Sequence, residues 1–297
     1  MKGITLDQVS EASPTWGVLF ICHVVIASTL FGEPFADVKP QEIGALMTIG
    51  SLNFPRPPPG QSGMVSTNGN PMPLGDEGDF APIEIERMAL ACLKNVEAAL
   101  ERLEGWRQQG HGLEEIYVHG LAPCARLLGH WWRCDIADFA QVTIGSSNLQ
   151  RLLHRMSHEF CAPGADQPAG LSVLLATEPQ SQHTMGAFML AEFFRRRGWR
   201  VQLLAPHDSE EVLHHLRRDW FDALGVSVST GRQLQALQAL LPRLRQEAPN
   251  ARLSVLVGGP LAVSDPQALQ SLEVDLLGGN ARETVNQLGQ LVVARKN

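Results

Sequence analysis

The chain has 297 residues, which is enough for two domains with a hydrophobic core in each. Its formal net charge of −7 gives no overall attraction to nucleic acid, so the composition does not favour a protein that binds DNA through a basic surface. The five cysteines are odd in number and lack the spacing of a zinc finger, which favours reduced thiols in a cytoplasmic protein.

The first 80 residues are irregular in composition. The longest apolar run there covers residues 18–27, is interrupted by His23, and is too short to span a bilayer. Acidic residues precede it, so the segment lacks the basic start of a signal peptide. Residues 53–78 are rich in proline and glycine and predict a linker or an ordered loop. We therefore expect a cytoplasmic protein, with no membrane contact and an irregular segment over 1–80.

Residues 81–162 have the periodicity of helices. Apolar residues recur at helical spacing over 83–103, which predicts one helix, and again over 113–129. Pro123 lies inside the second stretch and predicts a kink or a restart, because proline lacks the N–H that an α-helix needs.

A longer helix follows. Either Asp135 or Asp138 can cap its start, and a single apolar stripe then extends to Phe160 at spacings of three and four residues. Three to four antiparallel helices of this kind form a bundle, so we expect a helical bundle over 81–162.

Short apolar strands alternate with helices after a linker over 163–169. The predicted strands cover 171–176, 200–204, 223–228, 253–257 and 274–277. The predicted helices cover 186–197, 210–220, 232–247, 266–272 and 281–293. This alternation predicts a Rossmann-like (flavodoxin-like) five-stranded parallel sheet over 168–297, with helices on both faces. A receiver domain is the alternative, but no acidic cluster at the strand ends suits its magnesium site.

A histidine lies at the turn that follows the first predicted strand. His183 is followed three residues later by Gly186, at the edge where open α/β sheets bind their ligands. Two later signals complete the pattern, namely Ser227-Val228-Ser229 and the pair Gly258-Gly259. Residues 187–226 separate the first two signals, and residues 230–257 separate the last two.

The order and spacing of these signals resemble the cobalamin-binding fingerprint D-x-H-x-x-G, S-x-L and G-G. The resemblance covers residues 168–297 and implies that His183 is the lower axial ligand of cobalt, in place of the cofactor's own dimethylbenzimidazole. The displaced nucleotide tail then enters the sheet, where small residues let the backbone approach closely. The residues implied to bind the cofactor there are Gly186, Ser227, Ser229, Gly258 and Gly259.

The fingerprint differs at its first position. Ser181 stands where the family has Asp or Glu, and its hydroxyl can accept the imidazole N–H without supplying a charge. The effect on the basicity of the ligand is therefore expected to be weaker.

The helical region resembles the cap over the corrin in cobalamin-dependent light-sensing regulators and the helical module of methionine synthases. The stretch 121–132 carries this resemblance, which implies that Trp132 packs beside the upper axial ligand. Trp131 and Trp132 also suit a bundle core, which is the alternative. The best-known light sensors carry W-x9-E-H, but Val142 and Thr143 occupy the last two positions here. Val142 is thus implied to lie beside the cofactor, and the histidine that captures cobalt is absent.

Other histidines could supply an upper ligand, although each suits a structural role as well. They are His23, His119, His130, His154 and His158.

With Val-Thr in place of Glu-His and no DNA-binding module recognised ahead of the helices, the chain resembles short photoreceptors of the AerR/PpaA type. These act as antirepressors on a transcription factor of the CrtJ/PpsR type. The resemblance implies a light-sensing regulator that binds adenosyl-, methyl- or hydroxocobalamin and does not bind DNA by itself.

Two alternatives remain open. One is a corrinoid protein of a methyltransferase system, and the other is a haem or redox sensor that uses the same pocket, since some relatives bind haem. No acid–base pair or nucleophile stands out in the sequence, so we expect no catalysis by side chains.

Overall fold

The computed structural model describes residues 80–162, 170–177 and 184–296 of the chain. The predicted linkers over 53–78 and 163–169 lie outside these ranges, as do Cys22 and His23. In the described parts of the chain, no helix has the length and hydropathy that a membrane span requires. The cysteines there are all free.

The first described part is helical. Its helices are α1 (Pro82–Lys94), α2 (Val96–Gln108), α3 and α4 (Phe139–Phe160). Helix α3 consists of three consecutive segments, which are Leu113–Glu115, the π-helical Ile116–Leu121 and Ala122–Arg133.

The second described part alternates strands and helices. Its elements are β1 (Ser172–Ala176), α5 (Thr184–Arg196), β2 (Arg200–Leu204), α6 (Ser209–Arg218), β3 (Ala223–Ser227), α7 (Gly231–Glu247), β4 (Ser254–Gly258), α8 (Pro260–Ser264), a 3-10 turn (Pro266–Leu269), β5 (Leu276–Leu277) and α9 (Ala281–Lys296). Within the described residues the sheet has five strands, all parallel, in the order β2-β1-β3-β4-β5. This is the flavodoxin-like order. The predicted fold class, helices followed by a Rossmann-like sheet, is confirmed.

The single helix predicted over 83–103 is wrong, because the chain forms α1 and α2 there. Asn95 is extended, with φ −171° and ψ 171°, and its side-chain oxygen accepts a hydrogen bond from the N–H of Ala98 at 2.8 Å. Asn95 therefore ends α1 and caps α2. The apolar periodicity continues across the break because both helices bury residues in the same core.

The kink predicted at Pro123 takes the form of a π-helical turn. The segment Ile116–Leu121 widens the helix just ahead of the proline, and α-helical geometry resumes at Ala122. The wider turn accommodates a residue that cannot donate to a carbonyl one turn earlier.

Asp138 is the cap of α4. Its carboxylate accepts from the N–H of Gln141 at 2.8 Å, and the Gln141 side chain accepts from the N–H of Asp138 at 2.9 Å. This reciprocal pair is a capping box. Asp135, the other candidate, lies in the preceding turn with φ 53°.

The segment between β4 and α9 departs most from the prediction. The helix predicted over 266–272 is only the 3-10 turn Pro266–Leu269, and the strand predicted over 274–277 is reduced to Leu276–Leu277. Helix α8 was not predicted. Asp265 ends α8 and accepts a hydrogen bond from the N–H of Ala268 at 3.2 Å, so a local cap divides this stretch into short pieces.

One hydrophobic core joins the helical part to the sheet. It contains residues of α1–α4 together with α5, α9 and the facing side of β1. At the junction, the ring of Tyr117 stacks on that of Phe160 at 4.0 Å, and Phe160 meets Phe193 of α5 at 4.9 Å. A second core lies on the other face of the sheet, under α6 and α7. The domain boundaries given by the sequence stay predictions.

Candidate functional site

The candidate site lies beyond the carboxyl ends of β1 and β3. Strand β1 pairs with β2 on one side and with β3 on the other, so the connections leave β1 and β3 in opposite directions. Ala176 at the end of β1 pairs with Val226 near the end of β3. Ligands of open α/β sheets bind at such a change of direction.

His183 and Ser181, the predicted axial ligand and its neighbour, lie outside the described residues, and their roles stay predictions. The described chain resumes at Thr184, the first residue of α5, and Gly186 follows in its first turn. Gly186 is exposed, and a Cβ built on it would meet no atom within 4 Å. A ligand can therefore approach the backbone of this turn closely.

Two buried hydroxyls lie at this edge without a hydrogen-bond partner. The side-chain oxygen of Ser229, two residues after β3, has none among the described residues, and the same holds for Thr177, directly after β1. The backbone N–H groups of both residues are satisfied, by the side chain of Gln233 and the carbonyl of Leu204 respectively. An orphaned hydroxyl costs about 1–3 kcal/mol. Both can donate to or accept from the nitrogen and oxygen atoms of a nucleotide tail, so the site fits the predicted cofactor.

The predicted serine and glycine signals meet at the ends of β3 and β4. Ser227 pairs with Gly258, and the N–H of Val228 donates to the Gly258 carbonyl at 2.8 Å. Gly259 has φ 100°, and a Cβ on it would lie 2.6 Å from the Ser227 hydroxyl and from the Val228 nitrogen. Glycine is required here by the approach of the two strand ends, whether or not a ligand is bound.

Sequence reasoning missed Thr177. The available signal was its position, since it is the first residue after a strand whose five residues are all buried. A hydroxyl at that position is brought to the ligand edge of a parallel sheet.

Helices α3 and α4 run antiparallel. Tyr117 donates to the Leu153 carbonyl at 3.4 Å, and Gly145 lies against Leu128, so residue numbers rise on α3 as they fall on α4. The same register brings Trp132 level with the first turns of α4, where Val142 lies. We call this end of the helix pair the upper end, and the end that contains Tyr117 and Phe160 the lower end.

The two tryptophans differ in burial. Trp131 is 8% exposed and belongs to the core, which is the alternative given for it by the sequence. Trp132 is half-buried and packs against the margin of the same core. Val142 is fully buried among the helices, so its side chain does not reach an open surface. The cofactor contacts of Trp132 and Val142 stay predictions.

The upper end of the helix pair projects beyond the sheet edge. His154 of α4 meets Phe188 of α5 at 4.5 Å, and further along both helices Phe160 meets Phe193, so α4 and α5 run in the same direction. Helix α5 begins four residues before Phe188, whereas α4 begins fifteen before His154. At 1.5 Å per residue, α4 starts about 16 Å beyond the start of α5. The upper end of the helix pair therefore extends beyond the carboxyl edge, and its role as a cap over the corrin stays a prediction.

The histidines proposed as substitute upper ligands are dispersed. His154 contacts Phe188, which lies one turn after the start of α5. The ring of His130 lies 3.7 Å from the sulfur of Cys134. His23 lies outside the described residues. In the described ranges, no group of three or more His, Cys, Asp or Glu side chains is placed to hold a metal ion.

A polar cluster connects the lower end to α5. The Cys161 thiol donates to Glu192 at 3.3 Å, and Arg195 pairs with the same carboxylate at 2.8 Å. Burial, reinforced by the hydrogen bond to Glu192, raises the pKa of Cys161 to about 11. The thiol is therefore protonated at neutral pH.

Comparisons with known proteins agree with this architecture. Residues 171–288 match the family model described as the B12 binding domain. The chain is 31% identical over 165 residues to the "Uncharacterized 20.5 kDa protein in bchF-crtJ intergenic region" of Rhodobacter capsulatus, covering 56% of this chain and 85% of that protein.

A solved structure shows the same fold. The Methanosarcina barkeri monomethylamine corrinoid protein superposes with a TM-score of 0.59 at 16% identity, over 71% of this chain and 100% of that one. The family match identifies cobalamin as the cofactor class, and the orphaned hydroxyls at the sheet edge are compatible with it. The chain belongs to the B12-binding-domain proteins, in the group of the AerR/PpaA type.

Proposed function

We propose that this protein is a cobalamin-dependent light sensor that regulates transcription through a partner repressor and does not act as an enzyme. The observation that carries the proposal is the Rhodobacter capsulatus relative, whose name assigns it to the bchF–crtJ intergenic region. The AerR/PpaA resemblance implies a partner of the CrtJ/PpsR type, and crtJ is one of the two genes in the relative's name.

Each residue of the candidate site would contact a different part of the cofactor. When bound, cobalamin would supply a cobalt–ligand bond that visible light breaks or exchanges. His183 would hold cobalt from below, and the hydroxyls of Thr177 and Ser229 would bond the nucleotide tail. Gly186 leaves room for the corrin at the first turn of α5, and Trp132 would cover the opposite face.

The attachment of the helices supports a route from the cofactor to a partner surface. The lower ends of α3 and α4 are fixed to α5 by the Tyr117, Phe160 and Phe193 rings. Their upper ends extend beyond the carboxyl edge, where α5 does not hold them, so a change at a cofactor bound there would act on these ends. Light alters affinity for a partner only if the partner contacts the two arrangements differently.

The first experiment tests cofactor and light response. The protein is purified in the dark with methyl- or adenosylcobalamin, and its absorption spectrum is recorded before and after green light. We expect bound corrinoid and a persistent spectral change. Failure to take up corrinoid, or a haem Soret band, would contradict the proposal. His183→Ala should abolish or greatly weaken binding, whereas His214→Ala, an exposed position on α6, should not.

The second experiment tests the partner. Affinity for a purified repressor of the CrtJ/PpsR type is measured with the protein kept dark and after illumination. We expect the two affinities to differ by roughly 5-fold or more, the usual range of coupling between sites. Equal affinities would contradict the regulatory role, and transfer of a methyl group to a partner would favour the methyltransferase alternative.

A further inference from the structure

A concave surface lies at the amino ends of the strands, opposite the candidate cofactor site. It has a volume of about 360 Å³ and is formed by the segments before β3 and β4 together with the last turn of α9. Its apolar lining consists of Trp220, Pro249, Ala251 and Val292. We call this concavity the Trp220 surface.

Trp220 has a fixed backbone and an exposed side chain. Of the tryptophans in the described residues it alone is exposed, at 53%. Its carbonyl accepts hydrogen bonds from the Ser172 hydroxyl at 3.1 Å and from the Arg200 guanidinium at 3.2 Å. An indole that is held in place and left in solvent is the kind of side chain that contributes most to binding in protein interfaces.

The segment before β4 is held just as firmly. The Asn250 side chain is 8% exposed and donates to the Phe221 carbonyl at 2.8 Å. Its oxygen accepts from the N–H of Arg252 at 2.9 Å. These bonds join the segments before β3 and β4, so the Trp220 surface is already formed and binding there orders little backbone.

The Trp220 surface is positively charged, although the whole chain has a net charge of −7. The three cations that line it are Arg252, Arg295 and Lys296. Arg295 pairs with Asp275 at 2.5 Å, and Lys296 pairs with Asp222 at 2.8 Å. Arg252 is exposed and donates to the carbonyls of Arg295 and Lys296, at 2.7 Å and 3.4 Å. Within the described part of the chain no carboxylate neutralises Arg252.

This combination of an apolar concavity and an uncompensated cation favours an acidic protein segment as the occupant. Trp220, Pro249 and Ala251 are all exposed, so the surface is open, whereas sites for small molecules enclose most of their ligand. A single uncompensated cation on a chain of net charge −7 does not suit nucleic acid.

Helix α9 extends from the candidate cofactor site to the Trp220 surface. It begins three residues after Gly278, where a Cβ would lie 3.6 Å from the Cα of Gly258 at the end of β4. Its last turn supplies Arg295 and Lys296 to the Trp220 surface. The sixteen residues of α9 span about 24 Å. One rigid element therefore has one end beside the fingerprint glycines and the other at this surface.

We propose that the Trp220 surface is the docking site for the partner repressor, which would place a bulky apolar side chain against Trp220 and a carboxylate beside Arg252. This inference rests on the proposed function, which supplies the partner, and it adds the contact surface and the chemistry of the segment that binds there. The surface lies away from the carboxyl edge, so the partner and cobalamin can be bound at the same time.

The test measures affinity for a purified repressor of the CrtJ/PpsR type on the full, cobalamin-loaded chain. Trp220→Ala should weaken binding about 10-fold or more in the light state that binds the partner better, because it removes the central apolar contact. Cobalamin uptake and the light-induced change in absorbance should match those of wild type.

Two substitutions of one exposed residue test the charge. Ala251→Glu and Ala251→Lys add side chains of similar length and opposite charge to the lining. Ala251→Glu should bind the repressor about 10-fold more weakly than Ala251→Lys, because a like charge repels an acidic segment. Ile83→Ala, which truncates an apolar side chain of α1 that is 48% exposed, should leave the affinity unchanged. The Ala251 pair also serves if Trp220→Ala does not fold.

Three results would overturn the inference. If the repressor binds wild type, Trp220→Ala and both Ala251 variants equally, the docking site lies elsewhere and the proposed function is unaffected. If wild type is a dimer without repressor and Trp220→Ala is a monomer in sedimentation, the surface binds a second copy of the chain. If wild type binds no repressor in darkness or light, the proposed function fails and this inference fails with it.

Discussion

Two glycines of the fingerprint are required for different physical reasons. Gly259 has φ 100°, and a Cβ there would overlap the Ser227 hydroxyl and the Val228 backbone. The fold itself demands that glycine. Gly186 lies in the first turn of α5 with open space around it, so the fold makes no such demand. Any requirement for glycine at Gly186 comes from what approaches this turn.

This difference predicts opposite effects of alanine at the two positions. Gly186→Ala should leave the cofactor-free protein as stable as wild type, or up to about 1 kcal/mol more stable, because alanine favours a helix. Its cobalamin affinity should fall about 10-fold, since a methyl group corresponds to one or two kcal/mol of steric cost at a close contact. Thermal unfolding and absorbance titration measure the two quantities.

Gly259→Ala is the matched comparison. It should lose about 2 kcal/mol of stability, because it places a side chain at positive φ and against a neighbouring strand. A Gly186→Ala protein that binds cobalamin as tightly as wild type would show that the corrin does not approach α5.

Cys161 predicts a pH dependence of stability. Its pKa is raised by burial to about 11, above the value of about 8.5 for a free thiol, so folding favours the protonated form. The associated stability is complete below pH 8.5 and is lost as the pH rises towards 11. The difference in unfolding temperature between wild type and Cys161→Ala should therefore become smaller over this range. Tyr117, whose pKa is raised mainly by burial, is present in both proteins. A difference independent of pH would contradict the prediction.

At the scale of elements, local hydrogen bonds decide where the helices end. The apolar pattern runs from α1 into α2 without interruption, and only the extended backbone and side-chain bond of Asn95 separate them. In helix α3 the reverse holds, because Pro123 predicts a break and the helix nevertheless continues. The π-helical turn just ahead of the proline accommodates it. Periodicity describes which face is buried, whereas caps determine where a helix begins.

The cap of α2 can be tested directly. Asn95→Ala removes the acceptor for the Ala98 N–H and should destabilise the protein by about 1 kcal/mol in urea unfolding. Lys94→Ala, an exposed neighbour at the end of α1, should stay within about 0.5 kcal/mol of wild type. If the two variants are equally stable, the side-chain bond of Asn95 does not support the break.

At the scale of the whole molecule, the helical part and the sheet share one core and an ion-pair network. Glu114, at the start of α3, pairs with Arg196 at 2.9 Å and with Arg282 of α9 at 3.1 Å. Arg196 also donates to the Phe160 carbonyl at 2.6 Å and lies 5.1 Å from the centre of the Phe160 ring. One side chain thus connects α3, α4 and α5 at the lower end, where the helices are held.

Arg196→Ala should weaken this junction. The loss of an ion pair, a hydrogen bond and a cation–π contact should lower the free energy of unfolding by about 2 kcal/mol. Arg197→Ala is the matched control, since Arg197 makes only a longer contact of 3.8 Å with Glu114. We also expect Arg196→Ala to reduce the effect of light on partner affinity, because the lower end no longer resists movement. Equal stability of the two variants in urea unfolding would contradict the role given to Arg196.

The sequence by itself determined the fold class and the edge of the sheet at which the candidate site lies. The alternation of strands and helices and the small residues after β3 and β4 are local features that are visible in the order of the residues. Parallel strands bring all their carboxyl ends to one edge, so these features also indicate where a ligand binds. The assignment of His183 also rests on residue order and spacing, through the resemblance to the cobalamin fingerprint.

Only the tertiary structure decided which residues are buried and which lack partners. Trp131 and Trp132 are adjacent and identical in type, yet one enters the core and the other lies at its margin. Val142 is enclosed by the bundle, while Thr143, Ser146, Thr177 and Ser229 keep unsatisfied hydroxyls. Burial and hydrogen-bond partners depend on residues that are distant in the chain, because they form only when helices pack on one another and on the sheet.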